Sequence, residues 1–169
     1  EIPRALGALN GVVMELADCA FPTLAETIAT ADPAEAFANA DVAVLVGGFP
    51  RLAGMERKDL IHKNTAIFKS MGENLENHAK ETCKVLVVAN PANTNCLVAS
   101  SCCKRIPAKN FSCLTRLDHN RALAEIASKC QVAVSDVKNI VIWGNHSRTQ
   151  YPDVDHGYVL KDGAKVGIR

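Results

Sequence analysis

Four places in the sequence combine residue types able to do chemistry. They are Arg51 with Arg57 in a Gly-flanked loop, Asn90 after an apolar run, Asp118 with Arg121, and His146 in Gly-Asn-His. On a helix, positions 118 and 121 are i,i+3 neighbours that share a face, so a carboxylate and a guanidinium can look into one cavity. The same spacing also describes a solvated surface pair. His146 follows Trp143-Gly144, and a tight glycine turn at a strand end would aim its imidazole at a ligand crevice. There an Asp partner fixing the tautomer would complete an acid/base unit. His146 is one of five histidines, and a core or surface histidine is the competing reading.

These side chains need elements to hold them. Residues 5–19 carry Leu6, Leu9, Val13 and Leu16 at helical spacing, and Ala8, Val12 and Cys19 widen the stripe beyond what one core contact needs. That breadth fits an association face, the alternative being a helix wholly buried in its own subunit. Thr30 to Pro33 punctuates the chain. Asp41 to Gly48 then reads as a buried strand ending in glycines, and Phe49 to Gly54 as a loop. Glu56 to about Lys80 places Leu60, Ile61, Asn64, Ile67, Phe68, Met71 and Leu75 on one face of a long helix. Lys84–Ala89 is a second strand, and the loop at residues 90–95 can cap a following helix. Residues 111–117 form a third strand candidate, followed by a helix from about Asp118 to Cys130. Ser135-Asp136 caps a short turn before a strand at Asn139–Trp143. Near the end, Asp162-Gly163 between Val159 and Val166 reads as a hairpin turn. Short apolar strands alternating with helices indicate an α/β layout with a mainly parallel sheet and an antiparallel later portion. Ligands of such a sheet sit beyond the carboxyl ends of the strands, where the polar clusters fall.

Composition narrows the function classes. The 169 residues, 48% hydrophobic and 22% charged, suit one ordinary domain or pieces of two. A net charge of +1, two Tyr and one Trp leave little with which to hold a polyanion, so nucleic acid is not the expected partner. The longest apolar runs fall far short of the roughly 20 residues of a membrane span, so no membrane partner is expected either. The Glu-Ile-Pro-Arg start is not an intact secretory signal. Seven cysteines contain no C-x-x-C pair, which indicates neither a metal site nor a disulfide framework. Each reads as a small buried reduced thiol of a cytosol-like compartment.

Four strings occur in order: Gly-Met-Glu-Arg-Lys-Asp-Leu (54–60), Asn-Pro-Ala-Asn-Thr-Asn-Cys (90–96), Leu-Thr-Arg-Leu-Asp-His-Asn-Arg-Ala (114–122) and Trp-Gly-Asn-His-Ser-Arg-Thr-Gln-Tyr-Pro-Asp (143–153). Together they closely resemble the cytosolic-type malate dehydrogenases of the lactate/malate dehydrogenase family, almost from end to end of the chain. Several motifs in family order are far more specific than a lone glycine fingerprint. The resemblance implies a Rossmann-like doubly wound parallel sheet over residues 1–113, joined to the start of an α+β catalytic domain over 114–169. It also implies a cytoplasmic, homodimeric oxidoreductase that interconverts malate and oxaloacetate with NAD.

By the same resemblance, His146 takes the hydroxyl proton and Asp118 orients it. Arg57 polarises the substrate C2 oxygen, Arg121 holds the C1 carboxylate, Asn90 orients the dicarboxylate substrate, and Arg51 holds its distal carboxylate. The residues matching the cofactor side are Glu1, Gly47, Asn64, Val88, Ala89 and Asn90. Glu1 would receive the ribose hydroxyls and repel a 2′-phosphate, favouring NAD over NADP. Met71 stands where a polar glutamine is expected in relatives. No G-x-G-x-x-G occurs, and the chain begins at what resembles the end of the family's second strand, so 169 residues alone are expected to bind NAD poorly. Two other readings compete: a related 2-hydroxyacid dehydrogenase with another substrate, and a truncated, non-catalytic relative acting through self-association.

Overall fold

The apolar face between residues 57 and 78 closes into one helix of 22 residues, α3 (Arg57–His78), within limits close to those its periodicity predicts. The computed structural model describes residues 5–50, 52–144 and 148–169, except for the Arg57 side chain. Before α3 come α1 (Leu6–Asp18), α2 (Pro33–Phe37) and β1 (Val42–Leu45). After it come β2 (Lys84–Val87), α4 (Ala92–Cys102), β3 (Phe111–Cys113), α5 (Arg116–Cys130), β4 (Val137–Lys138), β5 (Val141–Trp143), β6 (Tyr151–Asp153), β7 (Tyr158–Lys161) and β8 (Ala164–Gly167). The chain divides into two compact units, residues 1–89 with 94–112, and residues 90–93 with 113–169.

In the first unit the strands lie in the order β1-β2-β3, and β1 runs parallel to β2 with Ala43 opposite Val85 and Leu45 opposite Val87. Those four residues are buried together with Phe68 and Leu75 of α3. The expected strand at 41–48 is shorter and buried on one side only, since Val42 is 63% exposed and Val44 and Val46 are exposed beside it. A parallel strand covered on both faces was the expectation. Here β1 is an edge strand, and its second apolar face stays open among the described residues.

The breaker at Thr30–Pro33 starts a short helix that periodicity alone does not reveal. Asp32 accepts a hydrogen bond from the Ala34 N–H at 2.9 Å, and Pro33 sits where a missing N–H costs nothing. Within α1 no residue is buried, and Met14 is 70% exposed. Burial of this helix in its own subunit's core is therefore not what the structure shows. Cys83 and Cys103 are the buried thiols expected, with pKa values raised chiefly by burial. Cys19 is exposed, against the expectation of a small buried hydrophobe.

Glycine sets the approach of α3 to α4. A Cβ on Gly72 would lie 2.5 Å from the Ala99 carbonyl oxygen and 2.9 Å from the Cys102 Cβ. Just beyond, the Glu76 carboxylate accepts hydrogen bonds from the backbone N–H groups of Lys104 and Arg105 at 2.8 and 2.7 Å. Backbone cannot give way as a side-chain tip can, so Gly72→Ala is expected to cost about 1–3 kcal/mol. A lower urea midpoint at unchanged slope would register it, and an unchanged midpoint would contradict it.

The second unit has its own core, Ile126 and Ala127 of α5 against Val137, Ile140 and Val159. Its strands form two antiparallel sheets, β4-β7-β8 and β5-β6. The expected strand at 139–143 is shortened to β5 at 141–143, and a separate two-residue strand, β4, precedes it, because Asn139 takes a φ of 58° between the two. Asparagine tolerates that conformation better than most side chains, and its amide donates to the His156 carbonyl at 2.7 Å. The third strand is also shorter than the expected 111–117, and α5 starts at Arg116. Asp162 and Gly163, with φ of 51° and 78°, form the two-residue turn of the β7–β8 hairpin as expected.

Candidate functional site

In the first unit the polar side chains at the strand ends serve the backbone. Asn64, wholly buried on α3, accepts a hydrogen bond from the Phe49 N–H at 2.9 Å and donates from Nδ2 to the carbonyls of Phe49 (3.3 Å) and Leu60 (3.0 Å). It thus clamps the residue two positions before Arg51. Gly48 makes the clamp possible, since a Cβ there would fall 2.9 Å from Asn64 Oδ1 and 3.1 Å from the Ala89 Cβ. The N–H groups of Val88 and Ala89 donate to the Leu45 carbonyl at 2.9 and 3.3 Å, and buried Asn95 donates to the Ala89 carbonyl at 2.9 Å. Gly48, Asn64 and Ala89 are thereby brought together beyond the carboxyl ends of β1 and β2. Beside them Gly47 faces open space. A dinucleotide needs this kind of close backbone approach, and the open space beside Gly47 fits one.

In the second unit a cleft of about 480 Å³ is lined by Asn93, Cys113, Thr115, Arg116, Asp118 and His119, together with Ile140, Val141, Ile142, Gly144 and Gln150. Asp118, in the first turn of α5, is 15% exposed and faces this cleft. Arg121 is 72% exposed and lies outside its lining, with Nη1 donating to Asp118 Oδ1 at 3.2 Å. The carboxylate thus lines the cleft, and the guanidinium is exposed beside it. Gly144, at φ 90°, makes the tight glycine turn expected at the end of β5, and it lines the same cleft. Asn90 is exposed. Glu1, Arg51, His146 and the Arg57 side chain lie outside the described residues. Among the described residues no group of three or more His, Cys, Asp or Glu side chains could hold a metal ion, and no helix is long and apolar enough to cross a membrane.

Two features escaped the sequence reading. The Cys113 Sγ–H donates to Asn93 Oδ1 at 3.3 Å in the cleft wall, with no local pattern to announce it. Asp153, at the end of the 143–153 string, accepts from the Trp143 indole N–H at 3.0 Å and lies 2.8 Å from His156 Nδ1. The Trp143 hydrogen bond, with contributions from His156, lowers its pKa from 3.8 to about 2 against the opposing effect of burial. A depressed pKa contributes stability that is complete above the unfolded value and lost as pH falls through the folded one. The hairpin should therefore loosen between pH 3.8 and about 2. Acid titration of fluorescence from Trp143, the one tryptophan, reads this. Asp153→Asn should flatten that arm of the curve, and an identical curve for the variant would contradict the pairing.

Residues 1–112 match the family model for the lactate/malate dehydrogenase NAD binding domain, and residues 115–166 match that for the lactate/malate dehydrogenase alpha/beta C-terminal domain. The chain is 60% identical to the cytoplasmic malate dehydrogenase of Zea mays over 169 residues, covering all of this chain and 51% of that protein. It is 58% identical to the cytoplasmic malate dehydrogenase of Homo sapiens over 168 residues, 99% of this chain and 50% of that one. Among solved structures, malate dehydrogenase from Naegleria fowleri superposes with a TM-score of 0.90 at 48% identity, covering 93% of this chain and 48% of that one. Lactate dehydrogenase from Trichomonas vaginalis, in complex with NADH and oxamate, does so with 0.92 at 46%, covering 99% and 50%. The chain spans about half the length of the curated relatives it matches.

Proposed function

Since the chain belongs to the lactate/malate dehydrogenase family, we propose that the polypeptide carrying it interconverts malate and oxaloacetate with NAD as cofactor. One observation carries the reading furthest: the carboxylate of Asp118 and the Gly144 turn, two residues before His146, line one cleft. His146 takes the hydroxyl proton when malate is oxidised. Asp118 orients the imidazole and stabilises its charged form. Arg57 polarises the C2 oxygen, Arg121 holds the C1 carboxylate by two-point contact, Asn90 orients the substrate and Arg51 takes the distal carboxylate.

On the cofactor side, Gly47 and Gly48 admit the dinucleotide to the strand ends, and Val88, Ala89 and Asn90 line its nicotinamide half. Asn64 serves the same side through the Phe49 backbone it clamps, and Glu1 receives the ribose hydroxyls. When bound, the nicotinamide supplies the hydride acceptor. The proposal puts the dinucleotide-binding part at 1–113 and the catalytic part at 114–169, a division supported by the ranges of the two family matches, whereas the compact units assign residues 90–93 and 113 to the second part. A cytoplasmic location is supported by the names of the maize and human relatives.

A second reading, a 2-hydroxyacid dehydrogenase for other substrates, is favoured by the lactate dehydrogenase of T. vaginalis, which superposes as well as the malate enzyme of N. fowleri. Fold similarity does not separate the two; the side chain facing the distal end of the substrate does. The test is oxidation of NADH by the full-length polypeptide with oxaloacetate, pyruvate and phenylpyruvate. A preference for oxaloacetate is expected, and turnover of none of the three would overturn the enzyme reading. The same preparation should sediment as a homodimer, with the exposed apolar residues of α1 near the two-fold axis. A monomer at micromolar concentration would refute that association.

A further inference from the structure

The β5–β6 hairpin pairs Val141 with Asp153, Ile142 with Pro152 and Trp143 with Tyr151, and His146 lies in the stretch between the two strands. Asp153 has a side chain only 9% exposed, and its two oxygens divide their work. Oδ1 accepts from the backbone N–H groups of Asp155 and His156 at 3.1 and 3.2 Å, which fixes the carboxylate to the chain leaving β6. Oδ2 reaches across the hairpin to the Trp143 indole N–H at 3.0 Å. Trp143 is 57% exposed, so packing alone does not fix its ring. The residue after it is Gly144 at φ 90°, where the chain turns out of β5. The outer side of the carboxylate's anchor is itself tied, since the Tyr151 hydroxyl donates to Asp155 Oδ2 at 3.2 Å and Arg169 Nε lies 2.8 Å from Asp155 Oδ1.

We propose that Asp153 is a positioning residue for the acid/base step: by tethering the Trp143 indole it fixes the end of β5 from which the Gly144 turn and His146 depart. The proposal rests on the reading of His146 as the acid/base group. Its physical content is that proton transfer depends steeply on alignment, so a small displacement of the imidazole lowers turnover while leaving cofactor affinity alone. A carboxylate that merely stabilised the hairpin would affect turnover and cofactor binding only through the folded fraction.

The experiment uses the full-length enzyme with Asp153→Ala, Asp153→Asn, Trp143→Phe, the Ala/Phe double variant, and His146→Asn alone and combined with Asp153→Ala. Asp153→Ala is expected to lower kcat for oxaloacetate about tenfold or more while Kd for NADH stays within about twofold. Trp143→Phe keeps an aromatic side chain but loses the pyrrole ring and with it the N–H, and it should lower kcat comparably. The double variant should be no slower than the slower single one, because both lose the same tether. Asp153→Asn retains an acceptor oxygen for the indole and should recover most of kcat at neutral pH. In the His146→Asn background, Asp153→Ala should cost nothing further. Wild-type kcat in Trp143→Phe, or additive losses in the double variant, would overturn the proposal even if Asp153→Ala fails to fold. A fully active His146→Asn would instead overturn the acid/base reading on which it rests.

Discussion

Replacing His146 with Asn in the full-length enzyme is expected to lower turnover by a factor of about 10² or more while NADH binding persists. The size follows from the proposed role of the imidazole: malate oxidation removes a hydroxyl proton as hydride leaves, and oxaloacetate reduction returns it. Asparagine occupies similar space but neither takes nor gives a proton near neutral pH. Asp118 supplies the second half of the test. It is held at the cleft wall at 15% exposure, with Arg121 Nη1 at 3.2 Å from its Oδ1. In the proposed role this carboxylate stabilises the charged form of the His146 imidazole. Asp118→Asn should therefore lower turnover and displace the pH–rate profile, since the acid/base group loses its orienting anion. An almost unchanged turnover in His146→Asn would make His146 a structural histidine. An unmoved pH–rate profile in Asp118→Asn would break the pairing.

The second large effect concerns substrate choice. Arg51 lies two residues beyond Phe49, whose N–H and carbonyl are both engaged by the buried Asn64 amide, so the root of this loop is set by α3. In the role proposed for Arg51, a four-carbon dicarboxylate offers it a charge-assisted contact at its distal end, whereas pyruvate or phenylpyruvate leaves the guanidinium without its partner. Breaking a desolvated charge pair costs about 3–5 kcal/mol, enough for discrimination of 10² or more. Arg51→Ala should therefore collapse the ratio of kcat/KM for oxaloacetate over pyruvate by at least about 10², mainly through loss on oxaloacetate. An intact oxaloacetate preference in the variant would remove Arg51 from the specificity role while leaving the dehydrogenase chemistry standing. Asn64→Ala leaves Arg51 in place but frees Phe49, so a partial loss of the same preference would trace the effect to the loop's anchor.

What the sequence by itself determined is local or repetitive. The periodicity at 57–78 shows α3, the alternation of short apolar runs with helices shows an α/β chain, and Asp162-Gly163 shows a two-residue turn, because each depends on contacts within a few residues. The motif strings carry the family and with it the candidate site. Tertiary structure alone decided which candidates face inward. Asp118 and Arg121 share a helix face in any helical wheel, yet one lines the cleft and the other is exposed. Asn64 looks like one more polar residue on an apolar face until Phe49, 15 positions earlier, supplies the backbone groups that satisfy its amide. Asp153 is the last residue of a recognisable string, and only the β5–β6 register brings Trp143, 10 positions earlier, within reach of its carboxylate. Periodicity states which face of an element turns inward. It carries no information on which donors the fold brings to that face, because those partners are set by strand register and helix approach.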